Sequence, residues 1–214
     1  MPVITISREF GSGGDAIAQE LSRISGYPLV DKIILEKIYY QFGFTDFAEV
    51  YNENGIWQRF KTHHVEMSHL LKRIFRAFVE VDNIVMLGRG GYASLKGNPN
   101  VLNVRIQSPF DQRVQNYLKT VENSNLKAAE EVVRQADLRR KEFVTLINGG
   151  NWDSSSSFDL VIDTGKISQS LAIDWIVQAS DLLSKSMKPT ETFEPQDSVL
   201  LKTIQDTLAS VFSS

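Results

Sequence analysis

Residues 3–15 read Val-Ile-Thr-Ile-Ser-Arg-Glu-Phe-Gly-Ser-Gly-Gly-Asp, and this stretch decides the fold. The β-branched run 3–6 has the length and composition of a buried strand. It passes through Ser7, Arg8, Glu9 and Phe10 into Gly11-Ser12-Gly13-Gly14-Asp15. Beyond the glycines Ile17, Leu21 and Ile24 recur at i, i+4 and i+7, the spacing of one helical face, until Gly26 closes the helix. The unit is therefore strand, glycine loop, helix. Glycines let such a loop turn tightly and point successive N–H groups into one concavity. The helix N-terminus adds partial positive charge, a combination suited to phosphate.

Working outward, four more strand-sized segments follow at 28–31, 84–87, 101–106 and 160–162, separated by stretches of helical period. Near-continuous apolar strands alternating with helices predict an α/β fold, a parallel sheet covered on both faces. Ser108-Pro109 reads as an N-cap and first helical residue, with Val114, Tyr117, Leu118 and Val121 as the buried stripe behind it. A polar helix is expected over 126–146, and the stripe Leu171, Trp175, Ala179, Leu182 follows Ser168. Residues 32–82 have helical composition without a strand pattern and read as an insertion over one end of the sheet. The α/β unit spans 1–186. A linker with Pro189 and Pro195 covers 187–198, and Val199, Leu200, Ile204, Leu208, Val211 and Phe212 form one face of a C-terminal amphipathic helix over 199–212. That helix must bury its stripe on this chain or on a second copy.

The bulk properties narrow the function. In 214 residues, 23 Lys plus Arg face 26 Asp plus Glu, for a net charge of −3, with 42% hydrophobic residues. These are ordinary values for a soluble domain large enough to hold a core without staples. Zero cysteines exclude a disulfide framework, a thiolate zinc site and a cysteine nucleophile. No apolar run approaches the roughly 20 residues that span a bilayer, and residues 1–10 lack the pattern of a secretory leader. The expectation is a cytoplasmic protein with no membrane partner, and the acidic balance argues against a nucleic-acid partner.

The glycine loop departs from the pattern G-x-x-x-x-G-K-[ST] that cradles nucleotide phosphates. With Gly13 as the second glycine, Gly14 stands in place of the lysine and Asp15 in place of the magnesium-binding hydroxyl. Phosphoryl transfer depends on cations around the transferring group, so another cation must replace the lysine.

The segments ITISREFGSGGDAIAQELS (4–22), GYPLVDKIILEKI (26–38), IVMLGRGGYA (84–93), NVRIQSPFDQRVQNY (103–117), ADLRRKEF (136–143) and FDLVIDTGKIS (158–168) together resemble the cytidylate kinase-like family of P-loop nucleoside monophosphate kinases. The resemblance runs over about residues 1–185, and SREFGSGG is its most specific piece. It implies a three-layer α/β/α fold with a five-stranded parallel sheet of P-loop kinase type, a helical monophosphate-binding insertion and a lid at about 137–155. It also implies transfer of a phosphoryl group from ATP, with Mg2+, to CMP, dCMP or a similar pyrimidine monophosphate.

Carried over by position, the resemblance makes Gly11, Ser12, Gly13, Gly14 and Asp15 the donor-phosphate loop. Arg8 becomes the nearest substitute for the lysine, and Arg139 and Arg140 the lid arginines of catalysis. Asp31, Arg76, Arg89, Arg113 and Asp137 fall at acceptor-side or lid positions, with Arg89 in GRGG where the relatives have GRD. Asp15 is the expected magnesium ligand, with Asp31 as the alternative. The same residues also have plainer readings. Arg139, Arg140 and Lys141 read as a solvated charge run, and Asp15 as a first-turn carboxylate worth about 0.3–1 kcal/mol to its helix. His63, His64 and His69 lack ligand spacing, and Trp57, Phe60, Phe75 and Phe78 read as core. Because Gly14 and Asp15 both oppose a triphosphate, a nucleotide-binding or regulatory protein that kept the fold without turnover stands beside the kinase.

Overall fold

The computed structural model describes residues 2–44, 57–122, 125–149, 152–186 and 197–212, with side chains of the third helix described from residue 65. Five parallel strands, β1 (Val3–Arg8), β2 (Leu29–Val30), β3 (Val85–Leu87), β4 (Val101–Gln107) and β5 (Leu160–Asp163), form one sheet in the order β2-β3-β1-β4-β5. Ile4 pairs with Val85 on one side and Leu102 on the other, so β1 lies at the centre. The helices are α1 (Gly14–Ser25), α2 (Lys32–Gln41), α3 (Trp57–Val81), the short α4 (Gly91–Ser94), α5 (Phe110–Leu118), α6 (Leu126–Asn148), α7 (Gln169–Lys185) and α8 (Ser198–Phe212).

Side chains alternate across each strand, and this creates two cores. On one face Ile4, Ile6, Val85, Val104 and Ile106 pack with Ile17 and Leu21 of α1 and Ala172 and Ile176 of α7. On the other, Val3, Met86 and Val101 pack with Leu35, Ile38, Phe75, Phe78, Phe143 and Ile204. This is the three-layer α/β/α arrangement. The sequence neighbours of β1 lie elsewhere in the sheet, so the chain leaves toward opposite sides around its C-terminal end. That is the position where open α/β sheets bind ligands.

Several local expectations shift by a residue or a face. Gly26 does close α1, with a left-handed φ of 72°. Pro109, not Ser108, occupies the N-cap position of α5, and the Ser108 carbonyl instead accepts from Arg113. Ile24 is exposed, and α5 ends at Leu118 rather than Val121. In α7 the buried face is Ala172, Ile176 and Ser180, while Leu171, Trp175 and Leu182 are exposed. That helix is apolar on more than one side, and the face with two small residues approaches the sheet most closely. In α8 Leu200, Ile204, Thr207 and Leu208 are buried, whereas Val199 and Phe212 are not. The stripe of α8 is spent on α2 and α3 of the same chain, where Gln41 Nε2 donates to Thr207 Oγ1 at 3.1 Å and Arg73 pairs with Asp197. Of the expected linker, only 197 and 198 fall within the described residues.

Candidate active site

The glycine loop is held from outside. Asn116 Nδ2 donates to the Gly11 carbonyl at 2.9 Å, and Thr164 Oγ1 donates to the Ser12 carbonyl at 2.7 Å. Gly11 and Gly13 both have left-handed φ, 78° and 81°, where a side chain is disfavoured. Ser12 is buried, and its hydroxyl donates to the Glu9 carbonyl at 2.8 Å. The same hydroxyl lies 3.5 Å from the Ile106 carbonyl, so the Ser12 side chain serves the loop and its junction with β4.

Gly14 has a different reason to be glycine. A Cβ there would lie 2.5 Å from Arg8 Cβ and 2.9 Å from Arg8 Cγ, so the stem of Arg8 fills the space a side chain would need. A Cβ on Gly88 would lie only 2.2 Å from Arg8 Nη1. The Arg8 guanidinium is therefore threaded between the start of α1 and the end of β3, beside the loop. Its Nη2 donates to Asp15 Oδ1 at 2.7 Å, and its Nε is buried without a hydrogen-bond partner.

Arg8 and Asp15 line a cleft of about 330 Å³ together with Asp31, Arg89, Arg140 and Trp152. Asp31 stands at the end of β2 as the N-cap of α2, its Oδ1 accepting from Ile33 N at 2.8 Å and Ile34 N at 3.2 Å. Arg89 follows β3 with φ 55°, between Gly88 at 77° and Gly90 at 73°. A non-glycine residue held left-handed carries strain of order 1 kcal/mol or more, and such strain clusters at ligand sites. Here it delivers Arg89 to the cleft at the C-terminal end of a central strand.

Arg140 reaches the cleft from α6. Asp137, three residues earlier, ties that helix to the loop: its Oδ1 accepts from Phe10 N at 2.8 Å and from Arg140 Nη1 at 3.3 Å, and its Oδ2 from Arg113 Nη1 at 2.5 Å. Arg113 is buried and also donates to the Ser108 and Phe10 carbonyls, at 2.9 and 3.1 Å. Arg113 and Asp137 thus brace the loop from behind and do not line the cleft. Arg139 points to solvent, and Arg76 is exposed on α3 away from the lining. His69 is exposed, Phe75 and Phe78 are in the core, and Trp57, Phe60, His63 and His64 lie outside the residues whose side chains are described.

Two members of the site carried no signal in the glycine motif. Glu9 joins three groups, with Oε1 3.4 Å from Arg105 Nη2, Oε2 3.3 Å from Arg113 Nε, and Oε2 accepting from Ser108 N at 3.0 Å. Trp152 lies under Arg105, the guanidinium 3.8 Å from its ring centroid. The available clue was Arg105 itself, a charge inside the apolar run of β4, which must have a partner when buried.

The electrostatics are cationic. Burial alone would raise the Asp15 carboxyl, but the charge and hydrogen bond of Arg8, with Arg140 further off, hold it below the ordinary carboxylate value. Burial, then the like charge of Arg8, pull the Arg140 guanidinium down to about 10, against Asp15 and Asp137. Among the described residues no group of three or more His, Cys, Asp or Glu side chains is placed to hold a metal, and the carboxylate expected to do so, Asp15, faces two arginines. The residues fit an anion and do not fit a metal held by protein ligands.

A model of the cytidylate kinase-like family matches residues 3–166. The chain belongs to that family. A cytidylate kinase of Thermoplasma acidophilum is 25% identical over 167 residues, which cover 75% of this chain and 82% of that protein. An uncharacterized protein from Eubacterium ventriosum superimposes with a TM-score of 0.64 at 24% identity, over 85% of this chain and 99% of its own. A shikimate kinase from Acinetobacter baumannii, solved with shikimate, gives a TM-score of 0.49 at 17% identity over 88% of this chain and 96% of its own. The cytidylate kinase-like family assignment supports a kinase of nucleoside monophosphate type with a nucleotide-binding P-loop. Among the described residues no helix is long and apolar enough to cross a membrane.

Proposed function

We propose that the protein is a cytoplasmic kinase that moves the γ-phosphoryl group of ATP to CMP, dCMP or a similar pyrimidine monophosphate. An oxygen of the acceptor phosphate bonds to the γ phosphorus, the bond from that phosphorus to the β-bridging oxygen breaks, and ADP and a nucleoside diphosphate leave. The observation that carries this reading is the Arg8 guanidinium threaded beside the glycine loop, in the space that Gly14 leaves open, with Arg140 on the same cleft. Such transfer needs positioning and positive charge on the equatorial oxygens more than covalent help. Arginine forks meet both needs because they bind phosphate oxygens in pairs and stay charged. Arg8 takes the lysine's part at the donor phosphates, Arg140 covers the transferring group from the α6 lid, and Arg89 and Asp31 hold the acceptor. Magnesium, when bound, would sit on the ATP phosphates and neutralise part of their charge.

Asp15 favours a second reading, a nucleotide-binding protein without turnover, because its carboxylate opposes a triphosphate at the loop. One assay separates the two: ADP formation from ATP and magnesium with CMP, dCMP, UMP and AMP in turn. A kinase gives acceptor-dependent ADP, fastest with a cytidine nucleotide, reduced at least about a hundredfold by Arg140→Ala and strongly by Arg89→Ala. Saturable ATP binding by calorimetry with no acceptor-dependent ADP overturns the kinase and leaves the binding protein.

A further inference from the structure

Four arginines around the glycine loop, Arg8, Arg105, Arg113 and Arg140, are ion-paired within the protein, and the pairing of Arg8 is unlike the others. Arg113 and Arg105 are paired behind the loop with Glu9 and Asp137, where a nucleotide does not reach. Arg8 is paired with Asp15, whose side chain is half exposed at the first turn of α1, on the cleft side. A carboxylate at 2.7 Å from a guanidinium nitrogen makes the contact that a phosphate oxygen makes. Within the same fork, Nε is buried without a hydrogen-bond partner. A buried donor left unpaired costs free energy, and a tetrahedral anion with several oxygens can satisfy what one carboxylate oxygen does not.

We propose that Asp15 is an internal stand-in for the donor phosphate: it neutralises Arg8 in the nucleotide-free protein and must give way when a polyphosphate binds, so that it sets donor affinity by competition rather than by holding magnesium. Three observations support the competition. Asp15 lies at the loop-proximal end of the helix, where the N-terminal dipole that favours an incoming anion favours the carboxylate equally. Arg140 also acts on Asp15, so displacing the carboxylate releases positive charge from two arginines. With both arginines facing it, the same carboxylate is a poor place for a dication. The glycine at 14 and the aspartate at 15 then belong to one design. Glycine admits the arginine, and aspartate keeps a permanently charged, partly buried guanidinium compensated until a substrate arrives.

The inference rests on reading the cleft as a phosphate site, and the test keeps the two apart. Isothermal titration would compare wild type and Asp15→Asn for ATP with EDTA, for ATP with saturating magnesium, and for inorganic tripolyphosphate with EDTA. Removing a charge roughly one ionic contact from the ligand predicts about a five- to tenfold tighter Kd for ATP in both conditions. The magnesium needed for half-maximal binding stays unchanged. On an Arg8→Ala background the gain from Asp15→Asn shrinks to less than about twofold, because the pair no longer exists. A defect in folding weakens binding and cannot mimic a gain. Weaker magnesium-ATP binding or a higher magnesium requirement in Asp15→Asn overturns the proposal and makes Asp15 a metal ligand. An unchanged Kd overturns it as well. If neither protein binds ATP, the kinase reading fails, and tripolyphosphate decides this one alone: tighter in Asp15→Asn supports the stand-in, and equal or absent binding overturns it.

Discussion

Gly14 is the residue at which this loop parts from the lysine-containing pattern, and the packing around it says why a lysine cannot simply be put back. A side chain at 14 begins at a Cβ that collides with Arg8 Cβ at 2.5 Å and presses on Ile106 Cβ at 3.3 Å. Neither obstacle is the loose end of a side chain. Gly14→Ala is expected to cost about 1–3 kcal/mol, the usual penalty of overpacking. Gly14→Lys suffers the same collision and pushes Arg8 out of place before its own ammonium can reach a phosphate. Arg8→Gly removes the obstructing atoms, at a strand-glycine cost of its own of about 0.5–1 kcal/mol. Urea denaturation of both single variants and the double variant tests this: in the Arg8→Gly background Gly14→Ala costs less than half of what it costs alone. Additive costs would mean that the two positions do not share space.

At the scale of elements, Asp137 is the joint between the glycine loop and α6. One carboxylate accepts from the Phe10 backbone, from Arg113 on α5 and from Arg140 on its own helix. That carboxylate therefore ties the loop, α5 and α6 together. Because Arg113 and Asp137 are largely buried, removing one partner leaves the other uncompensated, which typically costs 3–5 kcal/mol. Asp137→Ala is expected to lose about that much stability in urea. Asp137→Asn keeps an acceptor, so it loses less, but it raises the KM for ATP because α6 no longer fixes Arg140 over the loop. An unchanged KM in a folded Asp137→Asn protein would place Arg140 under other control. The elements themselves were legible in the sequence. Apolar or β-branched segments marked all five strands, and Gly26 and Ser168 stand at the ends of their helices as read. The face of α7 was not legible, since apolar residues surround it and only tertiary packing chooses the small-residue side. Nor was the brace: Glu9, Arg105 and Trp152 are far apart in sequence, the β1–β4 register sets Arg105 beside the end of β1, and Trp152 meets it from outside the strands.

For the whole molecule, the consequential packing is that of α8, which with α7 lies beyond the residues the family match covers. Its amphipathic stripe could be read from the sequence, but its target could not, because a stripe does not name the surface it meets. The surface is the pair α2 and α3, and α2 begins directly after Asp31, the cleft carboxylate proposed above to hold the acceptor. Leu200, Ile204 and Leu208 are buried there, each worth about 1.5–3 kcal/mol of apolar burial. Asp197 adds a cap to the Leu200 backbone N–H at 3.1 Å and an ion pair to Arg73 on α3. Deleting residues 197–214 therefore uncovers the helices that lie between β2 and β3 without touching the glycine loop. The expected result is a lower urea midpoint together with a split in kinetics: the acceptor KM rises several-fold, while the ATP Kd measured by calorimetry changes less than twofold. A milder version, Ile204→Ala, costs about 2–5 kcal/mol and moves the acceptor KM in the same direction. If both constants rise together, α8 supports the sheet as a whole; if only stability falls, the helix is a cover over the core with no hold on the acceptor end.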